Sequence, residues 1–385
     1  MKALRVILLL CLVWVTASCV ELLDHDALEN NALKLTLRFY IPSGQDPGTK
    51  TAVSASLAEK TIYNLQVWAF DHDSPRDTTA LAYAKVSQIQ QADGWVDRNV
   101  YEMTLSFPYY LVTRERLLVD FYVLGNAGSI GIGDESQTRR NRLNGMGFGK
   151  GETTSVDPFG PNAPVIALQS GVGLPFSGYF DNNNEGYDIS FLRDSTTWNN
   201  TWEDNINHIP LMELQRAVSK INFVFSQPPG LNAQIDRIVL DENQIPDSTY
   251  IFPQTNVWKE QHYGGQTVLI GEGGTPLLST IGSVTNPASL VNQDFATLQA
   301  AADNGQASIT QVYLRESDKT TITGTIYYTV NNTSTSKAFS LNRDDFTFRR
   351  NHCWTVYAYF QGSSLFTQIA PWDGWLVVID PSYIE

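Results

Sequence analysis

The chain has 385 residues, 42% of them hydrophobic and 17% charged, which is the composition of a folded protein with room for two domains. Its formal net charge of −14 argues against nucleic acid as a partner, because phosphate binding requires clustered Lys and Arg. Aromatic residues are plentiful, with nine Trp, 17 Tyr and 18 Phe, and this favours β-structure.

Residues 1–19 have the pattern of an export signal. Two basic residues precede a continuous apolar run, Val6 to Val15, which is too short for a typical membrane span. The run ends at Thr16-Ala17-Ser18-Cys19, and small residues directly before a Cys resemble the lipobox of bacterial lipoproteins. That resemblance implies removal of residues 1–18, acylation of Cys19, for instance by palmitate, and attachment to outer-membrane lipid. The alternative is an ordinary signal peptide cleaved near Ala17.

The first patterned stretch after the signal is Ala32 to Pro42, ALKLTLRFYIP. Its apolar members alternate with polar residues; they are Leu33, Leu35, Leu37, Phe39 and Ile41. This period of two predicts a strand with one buried face. Residues 43–60 follow, and their Gly, Pro, Ser and Ala content predicts a loop, which we call the linker.

The rest of the chain predicts further short strands separated by turn signals. They cover residues 61–70, 80–89, 100–107, 117–124, 210–225, 235–240, 307–314, 320–330, 338–341, 354–360 and 365–378. Residues 126–165 predict a long loop with one short helix. Val291 to Ala302 is the best helix candidate. Many short strands of this kind indicate an all-β fold of two sandwiches, with the boundary near residues 210–216.

The sequence lacks the spacings that catalytic and metal sites require. HExxH, G-x-S-x-G and the P-loop motif are all missing. Asp71-His72-Asp73 suggests metal ligands, but its position directly after a predicted strand favours a turn. Once Cys11 leaves with the signal and Cys19 is acylated, Cys353 stands alone, so no disulfide framework is expected. We expect no catalytic residue, no cofactor and no bound metal, and therefore not an enzyme.

Aromatic residues concentrate between residues 187 and 202. Tyr187, Trp198 and Trp202 are candidates for stacking on a sugar ring. The same residues suit ordinary packing within a loop, so both interpretations stand.

Several segments resemble, in order, motifs of the fimbrillin family, the type V pilins of Gram-negative anaerobes. They are Leu117–Gly128 (LLVDFYVLGNAG), Leu174–Gly178 (LPFSG), Arg216–Ile221 (RAVSKI), Arg350–His352 followed by Trp354–Val356, and the closing run Trp375–Ile379. Phe176 stands where the family has Met, and Trp354 where it has Tyr.

The resemblance implies two transthyretin-like β-sandwich domains in tandem, residues 19–212 and 213–385. In the family, a protease removes the first strand of the amino-terminal domain, and the carboxy-terminal strand of another subunit fills the groove. This chain would then be a structural subunit of cell-surface fimbriae that assembles by donor-strand exchange and supports adhesion. Its partners would be other fimbrial subunits, and its first strand, residues 32–42, would be removable.

The carboxy terminus supplies a candidate donor strand. Residues 365–379 have the length and the alternation for this role, and the residues that would enter the groove are Trp372, Trp375, Val377 and Ile379.

The linker departs from the family pattern because residues 43–60 contain no Arg at which the family's protease would cut. Arg38 and Lys50 are the remaining candidates for proteolytic processing. A subunit that keeps its first strand and its lipid would be a fimbrial membrane anchor. A further alternative is a surface lipoprotein that binds host or bacterial glycans or proteins.

Overall fold

The computed structural model describes residues 33–41, 59, 61–74, 78–87, 89, 100–108, 111, 114–127, 135–149, 165–166, 173–194, 209–252, 268–271, 275–342 and 349–372. These residues form an all-β molecule, as predicted.

In the first half the strands are β1 (Leu33–Tyr40), β2 (Leu65–Asp71), β3 (Ala82–Val86), β4 (Val100–Phe107), β5 (Leu118–Gly125), β6 (Gly147–Gly149), β7 (Val165–Ile166), β8 (Phe176–Phe180) and β9 (Tyr187–Asp188). In the second half they are β10 (Met212–Glu213), β11 (Gln215–Arg216), β12 (Val218–Ser226), β13 (Ala233–Leu240), β14 (Ser248–Tyr250), β15 (Val268–Ile270), β16 (Ser308–Arg315), β17 (Thr321–Val330), β18 (Thr333–Asn342), β19 (Cys353–Gln361) and β20 (Ser364–Trp372). The helices are α1 (Arg140–Asn144), α2 (Phe295–Asp303) and the 3-10 helices Glu135–Gln137, Ser190–Asp194 and Pro287–Leu290.

Two sheets enclose the core of the first half. One has the strand order β10-β1-β4, and the other has the order β11-β8-β5-β2-β3 with β9 beside β5. Apolar side chains from both sheets form one core cluster. β5 is buried at every position, as its nearly unbroken apolar run predicts.

β1 is the middle strand of the three-stranded sheet. It pairs antiparallel with β4 over its full length and parallel with β10 at Phe39 and Tyr40. The predicted strand is present, but the expectation of one buried face is wrong, because Thr36 and Arg38 are buried as well. The 3-10 helix Ser190–Asp194 contacts β1. A segment far away in the sequence therefore adds to the burial of this strand.

Two further sheets enclose the core of the second half. Their strand orders are β20-β19-β12-β16-β7 and β15-β13-β17-β18, and their facing side chains form a second core cluster. α2 and the 3-10 helix Pro287–Leu290 pack against Val224 of β12 and Tyr357 of β19, which point away from that core. The helices therefore cover the outer face of the five-stranded sheet.

Among the described residues, no helix is long and apolar enough to span a bilayer.

α2 begins later than predicted. The expected helix started at Val291, whereas the helix runs from Phe295 to Asp303. Asp294 fixes the start, because its side-chain oxygen accepts a hydrogen bond from the Thr297 amide at 2.8 Å. The start of α2 is therefore set by the Asp294 cap and not by the apolar periodicity of the residues before it.

One stretch of backbone joins the two halves, and we call Met212–Ser226 the connecting segment. Its β10 pairs with β1, its β11 pairs with β8, and its β12 lies at the centre of the five-stranded sheet. In addition β6 pairs with β14 and β7 with β16. The halves are thus linked by shared sheets, and the division into domains at residues 212 and 213 stays a prediction.

Candidate functional site

β1 fills a groove between β4 and β10. Leu35, Leu37 and Phe39 have no exposed surface, and Ile41 is 1% exposed. They belong to the first core. At about 2 kcal/mol for each buried side chain, the five apolar residues from Leu33 to Ile41 contribute roughly 10 kcal/mol. Removing the strand would therefore expose both an apolar core and two unpaired strand edges.

Polar side chains of β1 contact the strands that flank it. The Arg38 Nε lies 2.7 Å from Glu102 of β4. The Tyr40 hydroxyl donates a hydrogen bond to Glu213 of β10 at 2.8 Å. Burial raises the pKa of Glu213 and the pKa of Tyr40, so the Tyr40 hydroxyl remains a donor at neutral pH. Both walls of the groove thus present a carboxylate to the strand.

A buried ion pair lies at the downstream end of the linker. Glu59 and Lys220 of β12 both have fully buried side chains, and 2.6 Å separate the Lys220 Nζ from the Glu59 carboxylate. The Tyr313 hydroxyl donates to the same carboxylate oxygen at 2.8 Å. Burial, and then the Glu59 charge, raise the pKa of Tyr313, so this hydroxyl stays protonated. A charge removed from water in this way requires such partners.

Arg216 of β11 completes this junction. Its Nε donates to the Glu59 carbonyl oxygen at 3.1 Å, and its Nη1 donates to the Asn351 side chain at 3.0 Å. Its guanidinium also lies 5.6 Å from the centre of the Phe176 ring. Burial lowers the pKa of Arg216 to about 10, so the group remains charged at neutral pH. Arg216 therefore joins the linker end to β8 and to the second half.

Asn126 holds the chain that follows Glu59. Its side-chain amide donates to the Thr61 carbonyl at 2.8 Å, and its oxygen accepts from the Tyr63 amide at 2.7 Å. Between these residues, the Ile62 amide donates to the Tyr101 hydroxyl at 3.1 Å. The backbone of Asn126 has φ of 56°, the left-handed region that Asn tolerates better than most residues.

Arg350 fixes the opposite side of the junction. Its Nε lies 2.7 Å from Glu316, and its Nη atoms donate to the carbonyls of Ile251 and Tyr250 at 2.7 and 2.8 Å. Four of the segments that carry the family resemblance therefore meet here, through Asn126, Phe176, Arg216 with Lys220, and Arg350 with Asn351.

A second polar cluster lies where β2 ends. His72 sits in a turn, as predicted, and its Nδ1 lies 2.7 Å from the buried carboxylate of Asp120. Arg140 pairs with the other Asp120 oxygen at 3.0 Å. Burial raises the pKa of Asp120, although the hydrogen bond from His72 and the Arg140 charge act in the opposite direction. Within the described residues, no three His, Cys, Asp or Glu side chains converge as metal ligands would.

Most of the sequence-predicted site residues lie outside the described residues. They are Cys19, Lys50, Trp198, Trp202, Trp375, Val377 and Ile379. Lipidation, cleavage at Lys50 and sugar contact at the two Trp residues stay predictions.

Three predicted residues do lie in the described part. Arg38 is buried within β1. Tyr187 is 8% exposed and its ring packs 5.8 Å from that of Phe121, so it offers little free face for a sugar. The backbone of Trp372 pairs with Cys353 at the end of β20. The first part of the candidate donor strand is therefore already paired within its own sheet.

Sequence reasoning missed Glu59. It lies in a Ser- and Ala-rich stretch without periodicity, so no local pattern marks it. A sequence signal for this site lies instead in its partners. Arg216 and Lys220 interrupt an otherwise apolar predicted strand, and their spacing of four residues places both on one face of it. Buried cations of this kind indicate that a carboxylate lies nearby, but they do not say which one.

No protein-family model and no curated protein matches the sequence. Solved structures do. The tip fimbrial protein Mfa3 of Porphyromonas gingivalis, truncated at its carboxy terminus, matches with a TM-score of 0.50 and 11% identity, over 89% of this chain and 99% of that one.

Two other fimbrial proteins match with lower TM-scores. A fimbrial assembly protein of Parabacteroides distasonis has a TM-score of 0.41 and 11% identity, over 88% of this chain and 98% of that one. The fimbrial anchor protein Mfa2 of Porphyromonas gingivalis has a TM-score of 0.34 and 11% identity, over 89% and 98%. The match to the tip fimbrial protein Mfa3 shows that the chain shares its fold, which fits the fimbrillin family that the sequence resembles.

Proposed function

We propose that this protein is a structural component of cell-surface fimbriae and supports adhesion. One observation carries the proposal: an amino-terminal strand, β1, occupies the middle of a sheet and fills an apolar groove between β4 and β10. The likeness to a fimbrial tip protein supports the same function through the fold.

The proposed mode of assembly is donor-strand exchange. An incoming extended segment would restore both the backbone ladder and the buried apolar side chains that β1 supplies. Exchange between the groove of one subunit and the tail of the next is head-to-tail, so it need not close on itself and can build a filament. The candidate donor strand is residues 365–379. Because its residues 365–372 already pair with β19 within β20, the residues after Trp372 are the part proposed to enter a neighbouring subunit.

The surroundings of Arg38 argue against cleavage at this residue in the folded protein, which leaves cleavage at Lys50 in the linker or retention of β1. Arg38 is 7% exposed, paired with Glu102 and held within β1, so a protease that acts on the folded protein has poor access to it. A subunit that keeps β1 and an acylated Cys19 would terminate a fibre at the outer membrane.

The amino terminus of the protein recovered from assembled fimbriae tests this function. An acylated Cys19 supports the anchor role. A start between Pro42 and Glu59 supports strand removal and a stalk or tip role. Recovery of the protein only as a free monomer, outside any high-molecular-weight assembly, would contradict the fimbrial proposal.

A truncation after Trp372 tests the donor role of the tail. Because β20 is retained, we expect unchanged thermal unfolding but loss of the protein's insertion into a neighbouring subunit, seen as the disappearance of ladders on mild-denaturant gels. A matched truncation after Pro381 should keep most of the ladder, and equal ladders from both variants would exclude this tail as the donor.

A further inference from the structure

Tyr40, shortly before the linker, and Glu59, near its downstream end, both contact one short part of the connecting segment. At the upstream end, the Leu214 amide donates to the Tyr40 carbonyl at 2.9 Å, and the Tyr40 hydroxyl donates to Glu213. At the downstream end, Glu59 contacts Arg216 and Lys220. Tyr40 and Glu59 therefore contact neighbouring residues of the same backbone.

The downstream attachment is strong because it uses the side-chain carboxylate and the backbone carbonyl of Glu59. The carboxylate faces Lys220 and Tyr313, and the carbonyl accepts from Arg216. Lys220 is fully buried and also lies over the Phe295 ring, 5.1 Å from its centre. Withdrawal of Glu59 would take away the carboxylate that faces a buried ammonium group, which is strongly unfavourable.

The residues after Glu59 are held independently of the linker. Ile62 is 2% exposed, and its amide and that of Tyr63 donate to Tyr101 and Asn126. Local opening of this stretch would break these hydrogen bonds together with the ion pair, so opening has a high free energy.

The upstream attachment is likewise independent of the linker. β1 keeps its eight pairs with β4, its two pairs with β10 and its buried apolar side chains whether or not the chain continues beyond Ile41. A cut in the linker removes a covalent connection and none of these contacts.

We propose that Glu59 is a post-cleavage anchor: after a cut in the linker, its contacts hold the new amino-terminal end of the larger fragment on the connecting segment, while β1 stays in its groove through its own contacts until another strand displaces it. The proposal rests on the proposed function for its biological meaning, since only strand exchange supplies such a displacing strand. Cleavage then permits strand exchange while β1 still fills the groove, so the apolar core stays covered until the new strand has replaced β1.

The test uses the purified mature chain with Cys19→Ser and with residues 46–52 replaced by the recognition sequence of a site-specific protease. After cutting, we expect both fragments to elute as one species in gel filtration. Amide hydrogen exchange in the peptide covering residues 61–66 should stay within about twofold of the uncut protein.

E59Q and K220M probe the anchor itself. In the cut protein each should raise exchange in residues 61–66 by about tenfold or more, whereas Y313F should raise it by only about threefold, since it removes one hydrogen bond. E242Q, at an exposed turn position, is the matched control and should change nothing. Should E59Q or K220M fail to fold, the milder Y313F still reports on the cluster.

Equal exchange in cut E59Q, Y313F and parent proteins would overturn the anchor. Loss of the first fragment on gel filtration would overturn the retention of β1 by its own contacts. A protein that passes both measurements yet never enters fimbriae would overturn the proposed function and leave the anchor standing.

Discussion

β1 and β20 are terminal strands of the described chain, yet they are held in different ways. β1 is paired on both sides and buried at nearly every position. Among the described residues β20 pairs with β19 alone, and its Phe366 is 41% exposed. A strand that is central leaves a groove when it goes, whereas an edge strand leaves only a new edge. A central strand such as β1 is therefore suited to replacement by another strand, whereas an edge strand such as β20 is suited to extension of its sheet by a further strand.

Matched Leu→Ala substitutions test this comparison most strongly. Leu37 of β1 and Leu365 of β20 are both buried, but the surroundings of Leu365 can relax toward solvent at the sheet edge. We expect Leu37→Ala to lower the free energy of unfolding by about 4 kcal/mol and Leu365→Ala by about 2 kcal/mol. Urea unfolding measures both. Equal losses would mean that the position of the strand in its sheet does not matter here.

Asn126→Ala tests the clamp that holds residues 61–63, downstream of β1. The substitution removes the side-chain hydrogen bonds to Thr61 and Tyr63 and places Ala at a positive φ. We expect a loss of about 3 kcal/mol in the free energy of unfolding. Asn126→Asp keeps the acceptor and should recover part of it; a loss below about 1 kcal/mol would show that the clamp is dispensable.

Arg38→Met tests the polar wall of the groove. Met retains much of the buried side-chain volume, and the lost partner Glu102 is 38% exposed, so solvent screens the pair. We expect a loss of only about 1 kcal/mol, smaller still in 1 M salt. A salt-independent loss would indicate that Arg38 acts through packing. The matched control is Lys85→Met on β3, which removes the more exposed ion pair between Lys85 and Glu135 of the 3-10 helix Glu135–Gln137.

Asp294→Ala affects the β20 side, because α2 packs beside β19 and partly covers Ala370 of β20. Hydrogen bonds from the Thr297 amide depress the pKa of Asp294 below its ordinary value of 3.8. The carboxylate therefore stabilises the fold above that value, and this contribution is lost as the pH falls through the depressed pKa. We expect a loss of about 1 kcal/mol at pH 7 that fades toward pH 2. Asp294→Asn, which caps without a charge, should show no such fading.

The sequence predicted those features that depend on neighbouring residues. Alternation in ALKLTLRFYIP marked β1, the apolar run marked β5, and the position of His72 after a strand marked a turn. What it could not predict depends on partners more than a hundred residues away. The burial of Arg38 within its sheet and the pairing of Glu59 with Lys220 are examples, since no local spacing encodes them.

The contacts of Glu59 also impose an order on folding. Its two side-chain partners follow it by 161 and 254 residues, so neither is available until more than half of the chain has been synthesised. Closing loops of that length is slow compared with forming hairpins. β1 likewise waits for β10 before both of its edges are paired. The first half of the molecule therefore completes its folding late, and burial of Glu59 indicates that the carboxy-terminal half has folded.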